Sequence, residues 1–324
     1  MMLNRRDALS LAALAATPRS ATGRRPAAAE PVETIRLWPA AAPGGERVAV
    51  IPRVVERSTD PAFHDRFAQY TTDPILTVVR PARPNGASLL LIPGGGYKWA
   101  VVDTEGLDCA RVFADAGVTC FVLRYRLPGD GWAAGPDAPL QDAQRALRLV
   151  RAQAAAYGLD PARVAVLGAS AGGHLAGLLA ARAEATYAAV DAADAASHRP
   201  DLSLLLYPVA TMAEPHVHAG SRRELLGETP TAEAIERYSL ERMDWRDGPP
   251  TFLLHAMDDK AAPVENSLLL LSALKAAGVP AEAHLFQEGG HGFGIRLIER
   301  LPAAAWPQLA LTWAARHGWT AERP

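Results

Sequence analysis

Val164-Ala165-Val166-Leu167-Gly168-Ala169-Ser170-Ala171-Gly172-Gly173-His174-Leu175-Ala176 is the stretch that decides the fold. Its first four residues read as a short buried strand, and Gly172–Arg182 reads as a helix, so Ser170 falls on the turn between them. A side chain on so sharp a turn crowds its neighbours, and the positions two before and two after it must be nearly bare. Gly168 and Gly172 meet that need, and Ala169 and Ala171 are the next smallest choice. The hydroxyl then stands clear of the sheet at a helix N-terminus, whose partial positive charge favours a developing oxyanion. Ser170 is therefore the candidate nucleophile. The five-residue pattern is weak by itself, and its weight comes from the strand before it and the helix after it.

Working outward, strands alternate with helices, which implies an α/β fold: one domain with a mostly parallel, twisted sheet flanked by helices on both faces. Ile35–Trp38 and Ile75–Arg80 read as leading strands. Ser88–Ile92, Val118–Arg124, Leu202–Tyr207, Thr251–His255 and Ala281–Phe286 read as the others. Helices are expected over Glu105–Ala116, Asp142–Tyr157, Ser267–Ala277 and Trp306–His317. Ala210–Pro249 is polar and irregular between two strands, where a small cap would sit.

An acyl-transfer site also needs oxyanion donors and a base held by a carboxylate. The N–H of Ala171, directly after the nucleophile, is one expected donor. The Pro93-Gly94-Gly95-Gly96-Tyr97 loop leaves an earlier strand, and its glycines let backbone N–H groups approach a carbonyl, which nominates Gly95 and Gly96. Of nine histidines, His291 stands in a glycine-rich loop after the last strand and is the expected base. His174 lies a turn beyond Ser170 and reads as a packing residue, and His255 reads as packing or bonding backbone. Asp258 and Asp259 both follow the strand that should carry the acid. One should orient the imidazole, and the other is solvated or caps a helix. Tyr97, Trp99 and Trp132 lie in loops near the expected site and could stack on a sugar, or equally pack into the core.

The 324 residues carry 33 basic against 35 acidic side chains, a balance that suggests no nucleic-acid or anionic-membrane partner. Cys109 and Cys120 cannot form a disulfide scaffold, lack metal-ligand spacing, and read as small buried hydrophobes. Residues 1–29 start with Arg5-Arg6 before a short apolar run and have a small-residue site at Ala27-Ala28-Ala29. That is the grammar of a twin-arginine export signal, too short for a stable membrane anchor, and it implies a periplasmic or secreted protein. Residues 30–324 form the expected catalytic domain.

Several segments carry a family resemblance: Leu37-Trp38-Pro39, Ala42-Pro43-Gly44, Pro93–Tyr97, Glu105-Gly106, Tyr125-Arg126-Leu127, Gly168–Ala176, Asp259 with Pro263, and Gly290-His291-Gly292-Phe293. The chain resembles the α/β-hydrolase superfamily, and within it the bacterial acetylxylan esterase-like and feruloyl-esterase-like serine esterases. Aligned with the superfamily's acid segment, Asp259 rather than Asp258 becomes the acid, giving the order Ser170, Asp259, His291. The resemblance implies a cofactor-free, metal-free serine esterase that acts through an acyl-enzyme on small-acyl, above all acetyl, esters of small molecules or oligosaccharides. Pro93 stands where lipase-like relatives have a histidine, which argues against that branch. A broader carboxylesterase, a peptidase or amidase on the same triad, and a non-catalytic binding module are the alternatives. Glu30–Arg80 shows no long amphipathic helical pattern, and Ala210–Pro249 is rich in charge, so an open mouth without a long acyl tunnel is expected.

Overall fold

The computed structural model describes residues 33–320. Among the described residues there are eleven strands: β1 (Thr34–Arg36), β2 (Arg53–Glu56), β3 (Arg66–Gln69), β4 (Ile75–Val79), β5 (Ser88–Ile92), β6 (Ala100–Val101), β7 (Thr119–Arg124), β8 (Val164–Ala169), β9 (Leu202–Leu206), β10 (Thr251–Ala256) and β11 (Ala281–Phe286). Eight of them form one sheet in the order β1-β4-β7-β5-β8-β9-β10-β11. β1–β4 and β4–β7 are antiparallel, and every later pairing is parallel. The expected mostly parallel sheet is thus present.

The helices are α1 (Asp108–Asp115), α2 (Ala138–Ala152), α3 (Ala154–Tyr157), α4 (Ala171–Ala181), α5 (Ala219–Leu226), α6 (Ala232–Tyr238), α7 (Glu265–Ala276) and α8 (Trp306–Arg316). The central strands are buried from end to end, so they need apolar residues on both faces, and β5 (SLLLI) supplies them. Leu90 and Ile92 pack with α2, α4 and α7 on one face, while Leu89 and Leu91 pack with α1 and α8 on the other. The helix expected at Glu105 opens earlier, as one π-helical turn over Asp103–Leu107 that runs into α1.

The resemblance segments near the N-terminus turn out to be structural. Asp142, fully buried on α2, accepts from Trp38 Nε1 (2.8 Å) and from the backbone and side chain of Arg126. Arg126 also donates to Pro43 O, so the Trp38, Pro43 and Tyr125–Leu127 segments meet at one buried ion pair. Removing either partner would leave an uncompensated buried charge, at a cost of about 3–5 kcal/mol.

One feature was not foreseen. β2, β3 and β6 form a separate antiparallel sheet. Its strands are short and carry Arg53, Glu56 and Arg66, so no apolar alternation announces them. Arg66 fastens this sheet to the π-helical turn, with Nε and Nη2 each 2.8 Å from the buried Asp103 carboxylate. The cap expected between two strands is present as α5 and α6. Among the described residues no helix is long and apolar enough to cross a membrane.

Candidate active site

β8 runs into α4 through Ser170, whose backbone sits at φ 54°, ψ −122°. A non-glycine residue held there is strained, and the surroundings over-determine it. Ser170 N–H donates to Leu206 O (3.0 Å), and Ser170 O accepts from the N–H groups of His174 and Val209 (both 3.1 Å). The bare flanks are a spatial necessity. A Cβ on Gly168 would lie 2.2 Å from Gly172 O, and one on Gly172 would lie 2.1 Å from Ile92 O.

The elements bring the three sequence candidates together. Ser170 Oγ–H donates to His291 Nε2 at 2.7 Å, and His291 Nδ1–H donates to Asp259 Oδ2 at 2.6 Å. Asp259 follows β10, and its Oδ1 accepts from the N–H groups of Ala261 (2.9 Å) and Ala262 (3.0 Å). Burial pushes its pKa up, but hydrogen bonds from His255 and His291 and the nearby imidazole charge outweigh that, holding the carboxyl well below the usual range. Asp258, the neighbour that was not chosen, accepts from Gly290 N–H at 2.8 Å and so braces the histidine loop.

His255 does more than pack. Its Nε2 lies 2.9 Å from Ala262 O and 3.2 Å from Asp259 Oδ2; since both oxygens only accept, Nε2 carries the proton. Nδ1 then accepts from Ser267 Oγ–H at 2.8 Å. His174 is fully buried and ties three elements together. Its Nε2–H donates to Tyr238 O in the cap (2.7 Å), and its Nδ1 accepts from Tyr97 O–H in the glycine loop (2.7 Å). Burial pushes its pKa down to about 4.

The glycine loop lies hard against the nucleophile: a Cβ on Gly94 would meet Ser170 Cβ at 2.8 Å and Glu105 Oε2 at 2.6 Å. Gly95 adopts φ 123° because its missing Cβ makes room for Trp99, whose carbonyl would otherwise be 2.3 Å away. Tyr125 O–H donates to Pro93 O (2.9 Å) and Glu105 Oε2 accepts from Gly94 N–H (2.9 Å), so Gly94 has no N–H left for a ligand. Gly95 and Gly96 line a cleft of about 620 Å³ together with Ser170 and His291.

That cleft separates the three aromatic candidates. Trp99 lines it, with Lys98 Nζ above the ring at 5.4 Å. Tyr97 and Trp132 are corrections to the expected substrate contacts. Tyr97 is buried beneath the loop on His174, and Trp132 is buried in the core with Arg126 stacked 4.8 Å above it. The cap gives the cleft polar groups: His218, Arg223 and Glu224. Its apolar wall (Phe63, Trp99, Val101, Leu297) comes from elsewhere. A larger groove of about 710 Å³, lined by Asp137, Arg182 and Asp244 among others, contains none of the triad and no comparable chain of reactive groups. Among the described residues no cluster of three or more His, Cys, Asp or Glu is placed to hold a metal ion.

Sequence reading gave no role to Glu105, which figured only as a helix start and in a resemblance segment, and missed Tyr207 and His218. Tyr207 (φ 35°) directly follows β9 with its ring edge-on to His291, centroids 5.2 Å apart. His218 caps α5, its Nδ1 accepting from Ser221 N–H (3.1 Å), and its ring stacks 6.3 Å from that of His291. The available signals were an acid in the turn that opens a helix, a tyrosine just after an apolar strand, and a histidine inside the cap.

Sheet order, nucleophile turn and the Ser170–His291–Asp259 chain define an α/β-hydrolase. Residues 81–274 match the BD-FAE family model, and the chain belongs to that family. It is 35% identical over 213 residues to endo-1,4-β-xylanase B of Butyrivibrio fibrisolvens, covering 64% of this chain and 32% of that one. It is 31% identical over 219 residues to the acetylxylan esterase of Xylanibacter ruminicola, covering 66% and 42%. This chain therefore spans well under half the length of these two relatives. Among solved structures, the acetyl ester-xyloside bifunctional hydrolase of Caldicellulosiruptor lactoaceticus superposes with a TM-score of 0.71 at 33% identity, covering 89% of this chain and 97% of that one. Thermogutta terrifontis esterase 2 superposes with a TM-score of 0.65 at 25% identity, covering 78% and 92%.

Proposed function

We propose that the protein is a serine esterase that removes small acyl groups, chiefly acetyl, from esters whose alcohol is a sugar or oligosaccharide. The observation that carries this reading is the unbroken hydrogen-bonded chain from Ser170 through His291 to Asp259 at the floor of the cleft. His291 takes the proton as Ser170 Oγ bonds to the carbonyl carbon, and Asp259 stabilises the imidazolium. The oxyanion rests on N–H groups of Ala171 and of Gly95 or Gly96. The same proton passes to the alcohol as the C–O bond breaks, and water then repeats the sequence on the acyl-enzyme. The relatives named for acetylxylan and acetyl esters support the acyl group, and Trp99 at the cleft supports a stacked sugar.

The test is a p-nitrophenyl ester series from acetate to decanoate, followed by acetylated xylo-oligosaccharides. We expect kcat/KM to be highest for acetate and to fall from about six carbons onward, because only a walled tunnel returns about 0.8 kcal/mol per buried CH2. A profile rising steadily through decanoate would overturn the acyl assignment. Export through residues 1–29 belongs to the same reading. Those residues lie outside the described ones, and retention of an Arg5→Lys, Arg6→Lys double variant in the cytoplasm is the expected outcome.

A further inference from the structure

Glu105 is a buried acid at the lining of the cleft that the triad does not use. It touches both walls of the site at once. Oε2 accepts from Gly94 N–H at 2.9 Å, in the loop that carries the proposed oxyanion donors. Oε1 accepts from Tyr207 O–H at 3.0 Å, and the same phenol oxygen accepts from Gly294 N–H at 3.1 Å, three residues beyond His291. Tyr207 also sets its ring edge against the imidazole. A continuous path therefore runs Gly94–Glu105–Tyr207–Gly294, linking the oxyanion loop to the histidine loop beneath the nucleophile. Both carboxyl oxygens accept here, one from each wall of the site.

We propose that Glu105 is a positioning residue of the esterase: its one carboxylate holds the oxyanion donors and His291 in register and adds a second negative charge behind the imidazolium. The proposal rests on the esterase reading above. Around Glu105 the charges are few. Arg57, and His291 once it has taken a proton, are the cations that act on it, and Cys109 and Tyr125 stay neutral because burial pushes their pKa up. Burial raises the pKa of Glu105 itself, and His291, Tyr207 and Gly94 N–H offset only part of that rise. His291 in turn is faced by Asp259 on one side and by the His218 ring on another.

The sign of the electrostatic part follows. Removing a negative charge near the imidazole disfavours its protonated form, so the acid limb of kcat/KM should move to lower pH. The experiment compares wild type, Glu105→Gln and Tyr207→Phe with p-nitrophenyl acetate across pH, with a thermal melt of each. For Glu105→Gln we expect kcat to fall roughly 10- to 100-fold with KM within about threefold, the cost of misplacing reacting groups rather than of lost binding. The acid limb should shift downward. Tyr207→Phe leaves the carboxylate in place, and should lower kcat about three- to tenfold while leaving the limb where it is. Wild-type kcat in both variants, a loss confined to KM, or an unmoved limb in a folded Glu105→Gln protein would overturn the proposal. Should Glu105→Gln not fold, Tyr207→Phe decides by itself, and wild-type kcat there would refute the link. Labelling of Ser170 by a fluorophosphonate reads the same machinery without an ester. Slower labelling in the variants supports the proposal even if the ester panel fails, and labelling at the wild-type rate counts against it.

Discussion

Two glycine-rich loops flank Ser170, and they use glycine for different reasons. In Pro93–Tyr97 two of the three glycines are there for space: a Cβ on Gly94 would collide with Ser170 and Glu105 and one on Gly95 with Trp99, while one on Gly96 (φ 65°) would meet nothing closer than 3.8 Å. In Gly289–Gly294 the need is conformational at Gly290 and Gly292, although a Cβ on Gly294 would also lie 2.5 Å from Thr104 O. Gly290 sits at φ 64° with nothing within 4 Å of an added Cβ. The first loop is anchored by buried Tyr125, His174 and Glu105; the second is held at its exposed end by Asp258 and at its buried end by Tyr207 and Trp306. A donor wall pinned by three buried side chains thus faces a base on a loop held at its two ends. That division suits the proposed chemistry, in which oxyanion donors must be fixed in advance while the imidazole moves a proton both ways.

The largest expected effects fall on the groups between the two loops. Ser170→Ala and His291→Ala should each lower turnover roughly 10⁴- to 10⁶-fold with near-native melting, and Asp259→Asn no more than that. A residual activity near wild type for either of the first two would remove the triad. The loops themselves come next. Gly94→Ala should cost at least about 100-fold in kcat or prevent folding, because the added methyl has no room. Gly290→Ala should cost about 1–2 kcal/mol of stability for its strained φ, and little activity. Equal effects at the two positions, measured by melting and kcat, would erase the distinction drawn between them.

Acid should weaken the donor wall through His174. Its pKa is pushed from 6.5 to about 4 in the folded protein, so the unfolded chain binds the extra proton. Stability is then lost as pH falls from 6.5 towards 4, by as much as about 3 kcal/mol from this one group. A His174→Gln variant should show a shallower decline over that window in denaturant titrations, and a parallel decline would sink the assignment. The smallest effect belongs to Asp258→Asn, which keeps a carbonyl oxygen for Gly290 N–H and should cost less than tenfold in kcat/KM.

Much of the site was legible because its chemistry leaves marks on local sequence. A nucleophile on a sharp turn demands Gly168 and Gly172, and donors close to a carbonyl demand Gly95 and Gly96. The strands of the large sheet announce themselves as continuous apolar runs, since both faces are covered. Asp259 and Asp258, adjacent and alike, were separable only through the resemblance, because their roles depend on which one the strand end turns inward. Tyr97 and Trp132 show the opposite limit. An aromatic ring beside a glycine loop looks the same in sequence whether it faces a ligand or plugs the core, and here both plug it. Glu105, in a resemblance segment, and Tyr207, at a strand end, were given no role, because they act on each other across 102 residues of chain, a relation with no local periodicity.

The small sheet of β2, β3 and β6 carries a consequence for inheritance. The loop joining β2 to β3 lends Arg57, Phe63 and Asp65 to the mouth of the cleft, yet it lies wholly outside residues 81–274. It is bolted on by Arg66–Asp103 and, from the histidine side, by Arg296 stacked on Phe63. No strand of the eight-stranded sheet has to move for that loop to be lengthened or exchanged. The reacting centre and the vestibule above it are therefore free to diverge at different rates: a lineage can keep its chemistry while trading the rim that screens what enters.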